Sequence, residues 1–181
     1  GLFSGRSRER MLEIMKDSRV GANGIFGFVL LMILNWSILL DLLQSSWIFP
    51  ALFVMPVIAR LMMVVAISSF PYARPEGMGK AFKDGGTKSV LCGAFFYTLV
   101  LLFLAGVLTE WFLGHDVSSG LVSWCFSATF VLAAALLFTL FFANYATRHL
   151  GGLTGDVYGA ITTLTETLVL VCFLLISTVV C

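Results

Sequence analysis

Five long apolar runs alternate with short polar segments along this 181-residue chain, at Ala22–Leu43, Trp47–Phe70, Val90–Phe112, Leu121–Ala146 and Ala160–Cys181. Each is close to or longer than the ~20 apolar residues that a helix needs to cross a hydrocarbon core. The runs are continuously apolar, without the short alternating segments of a membrane β-barrel. In lipid a helix satisfies its own backbone polar groups. The pattern therefore predicts an all-α fold, a polytopic helical membrane bundle with about five transmembrane helices. Trp36, Trp47 and Trp111 are aromatics suited to interfacial anchoring, and Asn35 falls within the first span.

The polar segments carry an asymmetry. All but one of the eleven Lys and Arg residues fall before the first run, between the second and third, or between the fourth and fifth. The turns around Gln44–Ser46 and Glu110–Gly120 contain none. Under the positive-inside rule this places the N-terminal segment in the cytoplasm and the active face on the cytoplasmic side of the inner membrane. Residues 5–19 read as an amphipathic surface helix, with Met11, Leu12, Ile14 and Met15 opposite Arg and Glu. Residues 71–89 and 147–158 read as cytoplasmic loops, and 1–181 as a single integral-membrane domain.

Composition supports this reading. The chain is 59% hydrophobic and 12% charged, about half the charged fraction of a soluble domain. No separate soluble domain fits, and nucleic-acid binding is not indicated. Cys92, Cys125, Cys172 and Cys181 lie within or at the end of apolar runs without CxxC spacing and read as small packing residues. His115 and His149 are not flanked like metal ligands. The chain opens on Gly1 with a charged segment and no signal peptide, and reads as the C-terminal portion of a longer protein.

Two ionisable groups stand inside apolar runs. Arg60 lies near the middle of the second and Glu166 some way into the fifth. A central charge costs about 2.5–3.5 kcal/mol on insertion scales, so such groups pair or face a polar cavity. The two could pair with each other, or either could face a ligand. Gly151–Glu166 (GGLTGDVYGAITTLTE) feeds a Gly-rich loop into a helix start, a setting that favours phosphate, with Asp156 able to hold Mg²⁺. It is not a Walker A loop, and a Gly-rich turn with a capping Asp gives the same pattern. Arg74, Glu76 and Lys80, in Pro71–Lys80, and Lys16, Asp17 and Arg19 lie on the same side. Together they suggest a cytoplasmic pocket for pyrophosphate and a divalent metal.

Three stretches carry a family resemblance: SGRSRERMLEIMKDSRVGANG (Ser4–Gly24), FPYARPEGMGKAF (Phe70–Phe82), and LGGLTGDVYGA (Leu150–Ala160) with the later Glu166. In order and spacing they resemble cobalamin synthase, the adenosylcobinamide-GDP ribazoletransferase family. The resemblance implies a transferase of cobalamin (vitamin B12) biosynthesis that joins adenosylcobinamide-GDP and α-ribazole, or its 5′-phosphate, with Mg²⁺ as cofactor. It implies Asp156, with Glu166 second, as metal ligands. Gly151, Gly152, Thr154 and Gly155 would contact phosphate or shape its loop. Arg19, Arg74 and Lys80 would neutralise pyrophosphate, and Arg60 would reach it or orient Glu166. Asp17, Glu76 or Glu166 would serve in catalysis, with Asp17 or Glu76 as proton acceptor. It also implies an acidic metal-binding segment and an earlier transmembrane region preceding Gly1.

Two other readings compete. A CDP-alcohol phosphotransferase would show several Asp residues in one motif beginning DGxxAR, and this chain has none. A membrane transporter or channel could use Arg60 and Glu166 to line a pathway.

Overall fold

In a computed structural model the chain forms seven helices: α1 (Arg8–Ile14), α2 (Ala22–Leu42), α3 (Ile48–Ser69), α4 (Met78–Gly85), α5 (Lys88–Leu113), α6 (Val117–Leu150) and α7 (Gly155–Val180). The structure describes residues 2–17, 19, 21–113 and 117–180. His115 and Cys181 lie outside them. Five helices (α2, α3, α5, α6 and α7) are long and apolar enough to span a membrane. All-α architecture thus follows from the apolar runs, and among the described residues there is no strand beyond one isolated bridge.

The polar ends differ from the sequence expectation. α6 continues through Asn144, Thr147, Arg148 and His149 to Leu150, so only Gly151–Thr154 separates it from α7. Polar residues end an apolar run without ending a helix, and Arg148 and His149 suit the negative end of the helix dipole. The expected 71–89 loop contains α4, where Lys83 Nζ donates to the Ile67 and Ser68 carbonyls at 2.9 and 3.0 Å. That lysine supplies two acceptors at the end of α3 with a donor, a role beyond surface charge. The predicted surface helix over 5–19 is limited to α1, and its apolar side packs on the bundle. Met11 is buried there, Leu12 and Met15 are partly covered, and Phe3 stacks on Tyr145 of α6.

α3 is the central helix, packed on α5, α6 and α7, whereas α2 lies against α7 with most of its surface exposed. Ala51, Ala59 and Ala66 of α3 are fully buried, as are Ala135, Thr139, Ala143 and Ala146 of α6. Small side chains allow close backbone approach, which drives helix association where lipid removes the hydrophobic gain. Pro56 within α3 removes one helical donor, a loss tolerated in membrane helices by adjustment of neighbouring groups. Trp47, at the start of α3, is also a packing residue. It stacks on buried Trp124, whose indole N–H donates to the Leu102 carbonyl at 2.9 Å, while Trp36 and Trp111 are exposed. Cys172 is buried, but Cys92 and Cys125 are exposed free thiols rather than packed ones.

Candidate active site

The end of the bundle that carries the Arg-rich segments is organised by a short backbone pairing. Tyr72 and Leu153 form a parallel bridge, with the Ala73 N–H donating to the Leu153 carbonyl and the Leu153 N–H to the Pro71 carbonyl, both at 2.8 Å. The exit of α3 and the α6–α7 loop are thereby held together. Gly152 is required by this approach. A Cβ there would lie 2.7 Å from Ala73 N and Tyr72 C and 2.8 Å from Pro71 O. Gly151 is left-handed at φ 74°, which favours glycine, and its α-carbon lies beneath the Arg8 guanidinium.

α7 starts immediately beyond. Thr154 is fully buried, and its Oγ1 accepts the Val157 N–H at 3.4 Å, so it caps the helix and shapes the loop. Gly155 faces open space. No backbone bond engages the N–H groups of Gly155 or Asp156 among the described residues. They are the free donors expected in a helix's first turn. Asp156 is exposed there, 4.0 Å from Arg74. Arg74 is itself mostly buried and donates through Nη2 to the Leu12 carbonyl of α1 at 3.3 Å. Arg8, one turn before Leu12, donates through Nε to the Leu150 carbonyl at 2.8 Å. α1 therefore bonds the end of α6 before the glycine loop and the arginine that faces Asp156 beyond it.

Of the residues expected at the site, Gly151, Gly152, Thr154, Gly155, Asp156 and Arg74 converge. Asp17 and Arg19 bond each other, with a closest approach of 2.9 Å, and make no bond to the loop. The Arg19 guanidinium holds the Asp17 carboxyl below its ordinary value, which makes Asp17 a weaker proton acceptor. Glu76 and Lys80 are exposed, without an ion pair among the described residues.

Arg60 and Glu166 pair with each other, Nη1 to Oε1 at 3.2 Å, well inside the spans. Glu166 stands about 15 Å along α7 from Asp156, at ~1.5 Å rise per residue, so the two do not bind one ion. Arg60 likewise acts on Glu166 and does not reach the loop. The pair meets the need of both intramembrane charges for a partner and needs no solute pathway. Replacing Arg60 with Met is expected to cost about 1–3 kcal/mol by stranding Glu166, and adding Glu166→Gln should recover much of it. Thermal midpoints of the two single variants and the double variant measure this coupling; additive losses would refute it.

Sequence reasoning missed Arg8, Tyr72 and Tyr158. The two tyrosine rings stack at 6.4 Å behind the loop, and the buried Tyr158 hydroxyl has no partner among the described residues. Among the described residues no group of three or more His, Cys, Asp or Glu could hold a metal by itself. Mg²⁺ binds through as few as one or two carboxylates when phosphate oxygens and water complete its shell. The exposed Asp156 carboxylate is one such oxygen ligand, and the free helix-terminal N–H groups beside it suit a phosphate oxygen, not the metal.

Fold and site together define a polytopic helical membrane protein with a glycine loop, an arginine and an aspartate gathered at one end. The family model described as Cobalamin-5-phosphate synthase matches residues 1–174. The chain belongs to that family. It is 41% identical over 174 residues to an adenosylcobinamide-GDP ribazoletransferase of Desulfitobacterium hafniense, covering 94% of this chain and 61% of the relative. Proteins of the same name from Fusobacterium nucleatum (34% over 185 residues) and Acetivibrio thermocellus (36% over 178 residues) cover 98% and 97% of the chain. The chain spans 66% and 63% of their lengths, and thus about three fifths to two thirds of these relatives. No solved structure matches it.

Proposed function

We propose that the whole protein to which these residues belong is an adenosylcobinamide-GDP ribazoletransferase. A hydroxyl of α-ribazole, or of its 5′-phosphate, attacks the cobinamide-linked phosphorus of adenosylcobinamide-GDP. The new P–O bond forms as the bond to the bridging oxygen breaks. GMP leaves with that oxygen, and the attacking hydroxyl gives up its proton. The observation that carries the reading is the Asp156–Arg74 pair beside the Gly151–Thr154 loop, with free N–H groups opening α7.

Phosphoryl-type transfer is catalysed mainly by positioning and charge neutralisation. The first turn of α7 offers N–H donors and a positive dipole end to a phosphate oxygen. Arg74 is fixed by the Leu12 carbonyl, so its cation is positioned before substrate arrives. The bridge between Tyr72 and Leu153 keeps Arg74 and Asp156 in register. Mg²⁺ held at Asp156 together with substrate oxygens supplies charge neutralisation when bound. The basic end faces the cytoplasm of the inner membrane in this reading, in keeping with the segregated Lys and Arg residues.

The test is product formation by the full-length protein reconstituted in lipid with adenosylcobinamide-GDP, α-ribazole and Mg²⁺. Mass spectrometry should find adenosylcobalamin and GMP in equal amounts. A folded preparation that binds the corrinoid but forms neither product would reject the reading.

A further inference from the structure

Two features single out Arg8 among the basic residues of the N-terminal segment, its place over Gly151 and its bond to Leu150, and two more leave it free to bind an anion. Its guanidinium lies directly over Gly151, where an added Cβ would sit 2.7 Å from Cζ and 2.8 Å from Nη2. The space at position 151 is thus occupied by this arginine. Among the described residues only its Nε is committed to the protein, through the Leu150 carbonyl. The side chain is exposed, and no carboxylate lies within ion-pair distance of it among the described residues. By contrast, Arg10 pairs with Glu13 and Arg19 with Asp17.

Arg8 and Arg74 stand at the two ends of the loop, Arg148 lies two residues before Leu150, and Asp156 is the acid that faces Arg74. An arginine with its Nη edge free presents the planar fork that matches two phosphate oxygens. Docking of Met11 fixes the rotation of α1, so Arg8 and the Leu12 carbonyl, one turn apart, face the bundle together.

We propose that Arg8 is an anion-binding residue of this centre, holding a phosphate group of a diphosphate substrate against the Gly151–Thr154 loop. The identity of that substrate rests on the ribazoletransferase reading, whereas the recognition of a diphosphate by Arg8 is testable without it. The bond to Leu150 then has two effects: it closes the end of α6 and aims the remaining fork at the loop. Arg74 receives the adjoining phosphate from the other end.

The experiment is calorimetric titration of inorganic pyrophosphate into the full-length protein in lipid nanodiscs, in Mg²⁺-free buffer. Wild type is compared with Arg8→Gln, Arg8→Lys and Arg10→Ala, each with its thermal midpoint. Gln can still donate to the Leu150 carbonyl and loses only the charge and fork. Arg8→Gln should weaken pyrophosphate binding about 10- to 100-fold, the effect of losing a charge-assisted bond. Arg8→Lys should fall between, and Arg10→Ala should bind as wild type does. Unchanged affinity in Arg8→Gln overturns the assignment and reduces Arg8 to a clasp between α1 and α6. A wild type that does not bind pyrophosphate overturns it as well. Because no turnover is needed, failure of the ribazoletransferase reading registers separately, as absent product from a protein that still binds pyrophosphate through Arg8.

Discussion

Asp156→Asn in the full-length enzyme is expected to lower kcat by about 10²–10³-fold while the protein folds normally, the scale of losing one preorganised electrostatic contact to a transition state. Position is the first reason. Asp156 is in the first turn of α7, exposed, and beyond Gly155, which faces open space. Its pairing with Arg74 is long, at 4.0 Å, and 61% of the acid's side chain is exposed, so the pair adds little to stability. Interaction with the helix dipole adds about 0.3–1 kcal/mol. A thermal midpoint within a few degrees of wild type is therefore expected beside the large loss of rate. Titration with Mg²⁺ should require higher concentrations for half-maximal activity. Near-normal turnover with unchanged Mg²⁺ dependence would remove Asp156 from the metal-binding role.

The spans were legible because lipid imposes a simple rule: a continuous apolar run of sufficient length becomes a helix. All five runs became helices, with deviations confined to ends such as Thr147–Leu150, where polar residues extend α6. The site was legible only in part. Gly151–Asp156 and Arg74 declared themselves by glycine content and charge beside a helix start. What joins them is a nonlocal backbone bridge between Tyr72 and Leu153, and neither residue type signals pairing.

Basic residues of the N-terminal segment were likewise indistinguishable by charge. Arg8 and not Arg19 reaches the loop because Met11 docks α1 in one rotation, a fact of packing. Glu166 was legible to a further degree: an acid inside a span needs a partner, and of the two uses left open by the sequence, pairing with Arg60 is the one the structure shows.

Gly152→Ala should have the largest structural effect of any single methyl added at this end, and Gly151→Ala a smaller and more local one. The difference lies in what each Cβ would meet. At position 152 the obstacles are backbone atoms of Pro71, Tyr72 and Ala73, which cannot swing aside. They are held by the same two 2.8 Å bonds that form the bridge, so relief requires breaking it. Two lost backbone bonds and residual overpacking amount to about 2–4 kcal/mol. At position 151 the obstacle is the end of the Arg8 side chain, which can move, and a left-handed alanine costs about 1–2 kcal/mol. Hydrogen exchange resolves the two cases. Gly152→Ala should expose the amides of Ala73 and Leu153 together, since each donates one of the bridge bonds. Activity should fall with them, because separating the α3 exit from the α7 start draws Arg74 away from Asp156. Gly151→Ala should leave both amides protected and weaken only anion binding. Equal protection of Ala73 and Leu153 in Gly152→Ala and wild type would show that the bridge does not hold this centre together.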